Sequence, residues 1–232
     1  MYLNYCFPRI SYLPYFLTFG VTVVLCLTLA CRTSTSPASD QADLLAFFAP
    51  QPAADTLRIE VPNENEPDPG GDSIPEALFF RLLDTALLHE IAHVAEPGAV
   101  DRICGLKRFA LSANVEGCLV YIRQFWFKHY SLLLYDKRKR AFTGRITLAE
   151  WYGGEGGQIL TGSWLLDYDG DGDRDIIRRV IQRAIFTSNN HEVQEATNES
   201  AEVLLWRDGR FEVLPAPNEA ELVKRFPIRP HW

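Results

Sequence analysis

Ser163-Trp-Leu-Leu-Asp167-Tyr-Asp169-Gly-Asp171-Gly-Asp173-Arg-Asp175-Ile-Ile-Arg-Arg-Val180 is the stretch whose reading decides the fold. Five aspartates occupy alternate positions, and Gly170 and Gly172 permit the tight winding that branched residues resist. So many carboxylates within a few ångströms repel one another unless a cation neutralises them. A chain wound around an ion presents alternate side chains inward, and calcium takes six to eight oxygens. The segment after the loop has two readings. Ile176, Ile177, Val180, Ile181, Ala184 and Ile185 fit one helical face, with Arg178, Arg179, Gln182 and Arg183 opposite. The β-branching and the extended lead-in from Ser163 favour a strand. A strand here makes the domain a β structure.

The spacing also matches the first half of an EF-hand loop. Arg178 stands at the twelfth place, where a bidentate glutamate belongs. With strands on both sides, the segment Leu160 to Val180 resembles the calcium loop of FG-GAP or VCBS-type β-repeat proteins. In these a strand leads into Asp-x-Asp-Gly-Asp-Gly-x-x-Asp and a second strand comes after it. The resemblance implies Asp167, Asp169, Asp171 and Asp175 as side-chain calcium ligands, with Asp173 offering its backbone carbonyl.

Outward from the loop the texture is β. Gly117 to Phe127 is β-branched and aromatic. Ser131–Tyr135 and Ala141–Leu148 flank the charged turn Lys137 to Arg140 and read as a hairpin. Gly153 to Gly157 reads as a flexible connector, and Gln158 to Leu166 as a strand. Asp208-Gly209 between Val203–Trp206 and Arg210–Leu214 is a strong hairpin signal. Trp126, Trp151, Trp164 and Trp206 lie in or beside strand patterns and are expected in the core or half-buried. One helix is expected after Ser73, with that serine as its cap and Pro75 in its first turn. Its apolar face runs through Leu78, Leu82, Leu83, Ala86, Leu87 and Ile91, and Pro97-Gly98 ends it. Asn218 to Phe226 reads as a short terminal helix. The fold class expected is mainly β (α+β), an antiparallel domain with these two helices.

Upstream, residues 1–30 read as a signal peptide. Arg9 is their only charge, and the apolar run from Phe16 to Ala30 suits an h-region better than a span. Leu27-Thr-Leu-Ala-Cys31 resembles the lipobox of bacterial lipoproteins, which implies acylation of Cys31. An uncleaved anchor from about Ile10 is the alternative, weakened by Ser11 and Pro14. Either reading tethers the chain to a membrane of the bacterial envelope, facing the periplasm or the cell surface. Residues 31–72 read as a polar acidic linker interrupted by two islands, Leu44–Phe48 as a docking turn and Thr56–Val61 alternating like a short strand, and 73–232 as one helix-plus-β domain. Cys104 and Cys118 are the thiols of the mature body, either bridged or buried free.

His89-Glu90-Ile-Ala-His93 supplies a competing motif. On a helix His89 and His93 share a face and can hold zinc, with Glu90 activating a bound water. The longer pattern with a glycine and a third histidine fails, since Glu96 and Ala99 occupy those places. A third ligand would have to come from Glu96, Glu116 or His129.

Totals exclude some classes. With 47% hydrophobic and 12% aromatic residues the 232-residue chain is not wholly disordered. Its net charge of −7 argues against bulk nucleic-acid binding. Residues 40–76 hold nine acids against one base, and the loop five acids against Arg174, so the remaining body is close to neutral. The leading expectation is a lipid-anchored envelope protein with structural calcium, binding a protein or glycan partner. The competing class is a zinc metallopeptidase.

Overall fold

The computed structural model describes residues 41, 43–52, 55–89, 100–154, 156–187, 192–215 and 218–232. In chain order the elements are β1 (Ala49–Pro50), β2 (Thr56–Ile59), β3 (Asp72–Ser73), α1 (Glu76–Leu82) and α2 (Thr85–His89). Then come β4 (Arg102–Ala110), β5 (Val115–Gln124), β6 (Phe127–Asp136), β7 (Ala141–Gly154) and β8 (Gly157–Leu166). β9 (Asp175–Thr187), β10 (Val193–Arg207), β11 (Arg210–Leu214) and α3 (Glu219–Arg225) complete the chain. The fold is mainly β. From β4 to β11 each strand pairs antiparallel with the next, while β1 joins β4 in parallel, β3 pairs with β4 and β2 pairs with β8.

Local turn chemistry makes this meander. Asp208 and Gly209 both have positive φ, 49° and 83°, the two-residue turn that matches strand twist. Asp136 Oδ1 accepts from the backbone N–H of Arg138 and Lys139 at 2.8 and 3.0 Å, closing the charged β6–β7 turn. The glycine-rich run at 153–157 is the tip of the β7–β8 hairpin, with Gly154 opposite Gly157, rather than a free connector. The expected strand from Gly117 to Phe127 is divided: Phe125 and Trp126 form a turn, and β6 starts at Phe127. Strand β4 lies in the region after Gly98 where the texture turns to β, but carries no alternating signal of its own.

As far as His89 the single helix expected after Ser73 is two short ones, while Ile91 and the expected end at Pro97-Gly98 lie outside the described residues. Ser73 pairs with Cys104 as strand and does not cap; Pro75 holds the N-cap position. Leu83 is extended, and Asp84 Oδ1 accepts from Ala86 N at 3.0 Å, starting a second turn. An aspartate that can serve as a cap competes with helix continuation.

The sheet separates its cores by strand alternation. Ile103 and Cys104, Leu132 and Leu133, and Ile176 and Ile177 each send neighbouring side chains into different clusters. One cluster includes Leu44, Phe48, Ile74, Phe79 and Cys118; another includes Cys104, Tyr121, Trp151, Ile176 and Trp206. A third packs α3, through Leu222, on Ile177 and Leu205, with Phe226 just beyond the helix end. Cys104 and Cys118 are therefore buried, free and in different clusters, which settles the choice between bridge and free thiols.

The stretch read as linker contributes to the body. Leu44, Phe48, Ile59 and Val61, in its two islands, are buried. A Cβ on Gly105 would lie 2.3 Å from the Phe47 carbonyl oxygen, so glycine is what lets this segment cross β4. Asp68 accepts from Tyr121 Oη and Arg123 at 2.7 and 2.6 Å, and Lys128 donates to the Pro62 and Asn63 carbonyls. No helix of the described residues is long and apolar enough to cross a membrane. Residues 1–30 and Cys31 lie outside the described residues.

Candidate metal centre

The loop between β8 and β9 is built by strand pairing on one side and side-chain turns on the other. Leu166 pairs with Asp175, so the register closes directly beneath it. Above that pair the aspartates hold backbone amides. Asp167 accepts from Gly170 N at 2.8 Å through one oxygen and from Gly172 N at 3.1 Å through the other. Asp169 Oδ1 accepts from Asp171 N at 3.3 Å, and Asp171 Oδ1 from Asp173 N at 2.8 Å. Gly170 and Gly172 sit at φ 84° and 92°, where a side chain would be strained.

Three of the five aspartates converge. Ligand oxygens of Asp167, Asp169 and Asp175 all lie within 4.8 Å of one another. Two ligands about 2.3–2.6 Å from one calcium ion span such a distance. The donor set fits a hard cation: all oxygen, no imidazole and no thiolate. Of the four aspartates expected as side-chain ligands, Asp167, Asp169 and Asp175 converge and the Asp171 carboxylate stands outside their group; Asp173 was expected to offer its backbone carbonyl, not its side chain.

Asp175 differs from its neighbours. It is 1% exposed, while Asp167 and Asp169 are exposed. Its two oxygens accept from Trp206 N at 2.9 Å and Tyr168 N at 3.0 Å. It therefore ties the loop to the end of β10. Burial, acting against those two amides and reinforced by the Asp169 charge, leaves its acidity weakened. Asp173 is shifted the same way, by desolvation first and then by the charges of Asp171, Asp167 and Asp169. A cation would offset both effects. Arg174, which the sequence reading passed over, donates to the Asp55 carbonyl at 2.7 Å and docks the loop beside β2. The signal for Arg174 was its position as the one base within five acids.

His89 ends α2, while Glu90 and His93 lie outside the described residues. Of the candidates for a third zinc ligand, Glu96 also lies outside them. Glu116 is 3.5 Å from Arg108. His129 is buried on β6, its Nε2 2.6 Å from Ser131 Oγ. No family model, no curated protein and no solved structure matches this chain.

Proposed function

We propose that this chain is a lipid-anchored protein of the bacterial envelope whose β domain carries a structural calcium ion, with a binding or scaffolding role rather than a catalytic one. The observation that carries the proposal is the convergence of Asp167, Asp169 and Asp175 on the turn that closes β8 and β9. An ion there joins two exposed carboxylates to a buried one that already holds the end of β10. Its role is cohesion: the loop's repulsion is removed and three strands share one anchor. The lipobox-like Leu27–Cys31 supports the anchor.

The test uses the full chain in detergent, melted in chelator and then in excess calcium, magnesium or zinc. Free ion at 100 times Kd stabilises by about 2.7 kcal/mol. That raises Tm by roughly 5–10 °C for a chain of this size. Calcium is expected to give the largest rise, and Asp167→Asn to abolish it. An unchanged Tm in calcium refutes the proposal. So does stoichiometric zinc in the purified protein with peptide hydrolysis that Glu90→Gln abolishes.

A further inference from the structure

A cleft of about 900 Å³ opens at the other end of the β8–β9 pair, between the β5–β6 turn and strands β7 to β10. Two cross-strand rows form its floor. Tyr152, Ile159, Gln182 and Asn198 stand opposite one another on four successive strands. The next row on that face is Gly154, Gly157, Ala184 and Ala196, four small residues that leave a trough. At one end the trough meets the turn residues Phe125 and Trp126, which are 75% and 52% exposed.

That turn is held in an unfavourable shape. Phe125 has φ 53° at the first position of a two-residue hairpin turn, a place that favours glycine. Asp101 fixes it by accepting from Phe125 N at 2.6 Å. A large apolar side chain that is both solvent-exposed and strained has no packing reason to be there. Trp126, expected from the sequence in the core or half-buried, lies outside it.

Among the described residues, the polar groups on the floor of the cleft are neutral. Gln124, Gln182 and Asn198 supply carboxamides, each both donor and acceptor. Gln124 Oε1 is buried without a hydrogen-bond partner among the described residues. Among the described residues of the lining the one charged side chain is Arg183, which by strand alternation leaves β9 on the face opposite Gln182 and is held by both oxygens of Glu195 at 2.9 and 3.0 Å. A neutral cleft offers an anionic or cationic ligand no counter-charge. A hydrocarbon chain would leave the carboxamides unsatisfied. A sugar satisfies both halves: its C–H faces pack on exposed aromatic rings and its hydroxyls bond carboxamides.

We propose that this cleft binds a neutral oligosaccharide, with Trp126 and Phe125 as the stacking platform and Gln182 and Asn198 as hydroxyl-binding groups. The volume lies within the ~300–1,000 Å³ of small-ligand clefts. The inference names the partner for the binding role proposed above and rests on that role. It does not rest on the ion, whose test has a separate readout.

The experiment titrates the full chain with tetrasaccharides of β-1,4-glucose, α-1,4-glucose, β-1,4-mannose and β-1,4-N-acetylglucosamine. A polyoxyethylene detergent avoids sugar headgroups, and sialyllactose and a heparin tetrasaccharide serve as anionic probes. Calorimetry and tryptophan emission are read together. At least one neutral tetrasaccharide is expected to bind with Kd below about 1 mM. Trp126→Ala and Asn198→Ala are each expected to weaken it by about tenfold or more. Phe125→Gly is expected to weaken binding while leaving Tm unchanged or higher, since it relieves the turn. The proposal is overturned if no neutral tetrasaccharide binds at millimolar concentration, if an anionic probe binds more tightly, or if the variants bind as the parent does.

Discussion

Asp175→Ala, measured without calcium, separates what the aspartate does for the fold from what it does for an ion. The side chain removed is 1% exposed and accepts two backbone N–H groups. Trp206 N is buried and has no water to replace the carboxylate, so its loss costs about 2–3 kcal/mol. Tyr168 N is half-exposed and can rehydrate, at about 1 kcal/mol. The total is roughly 3–4 kcal/mol, a large fraction of the 5–15 kcal/mol that holds a typical domain together. Asp175→Asn keeps one acceptor oxygen and turns an N–H toward one of the amides, so about half that loss is expected. Asp167→Asn touches only an exposed turn and is expected to cost under about 1 kcal/mol. Urea unfolding of the three variants in chelator gives the ranking, with slopes compared to confirm that the unfolding transition is unchanged. Adding calcium should then stabilise the parent while the increment is lost in all three. A loss below about 1 kcal/mol for Asp175→Ala in chelator would refute the reasoning, because the buried amide would have found another partner.

Buried groups carry three further outcomes. Burial, with the Arg145 charge adding to it, pushes the His129 imidazole down to about 3. The folded state thus keeps it neutral while the unfolded chain protonates near 6.5, so stability is full above that pH and declines as pH falls toward 3. The slope is about 1.4 kcal/mol per pH unit, or about 2 kcal/mol between pH 6.5 and 5, and urea midpoints of His129→Gln should lose most of it; an equal slope in the variant refutes the assignment. Arg179 is 1% exposed and donates to the carbonyls of Ser200, Val223 and Phe226 and to Glu199. Arg179→Met is expected to cost about 2–4 kcal/mol and to speed proteolytic release of the C-terminal helix; unchanged cleavage refutes it. Cys104 and Cys118 should resist thiol reagents until urea unfolds the chain, then both react, whereas a mass two hydrogens lighter would show a bridge that their placement in different clusters forbids.

What the sequence disclosed was local. Asp208-Gly209, the charged turn at 137–140 and the β-branched run after Asp175 each carry their own turn or strand chemistry, and each formed as that chemistry dictates. The helix after Ser73 misled because its apolar spacing runs unbroken through Asp84, whose side chain caps a new turn instead. Tertiary partners were invisible. The islands Leu44–Phe48 and Thr56–Val61 were legible in the acidic stretch, but not their partners: the Phe47 carbonyl crosses Gly105, Thr56–Ile59 pairs with β8, and Ser73 pairs with Cys104. In the metal loop, alternation marked all five aspartates alike. Only the pairing of Leu166 with Asp175 sets one of them beneath the others, buried against β10.

The two proposed sites share one strand pair. Leu166 meets Asp175 at the loop end, and Gly157 meets Ala184 at the cleft end. Ten residues of β8 separate them, about 30 Å at strand rise. Over that length the register decides which side chains face the cleft, and a slip of one residue would exchange Gln182 for Arg183 and Ile159 for Gln158. At the cleft end the glycine and alanine row does little to fix the register, which is held from the opposite face by Arg183 reaching Glu195 on β10. The loop end is well equipped, because Asp175 is held by Trp206 and Tyr168 and an ion would lock it to Asp167 and Asp169. A structural ion far from a ligand site would in this way still serve recognition, by keeping a neutral polar row in place rather than by touching the sugar.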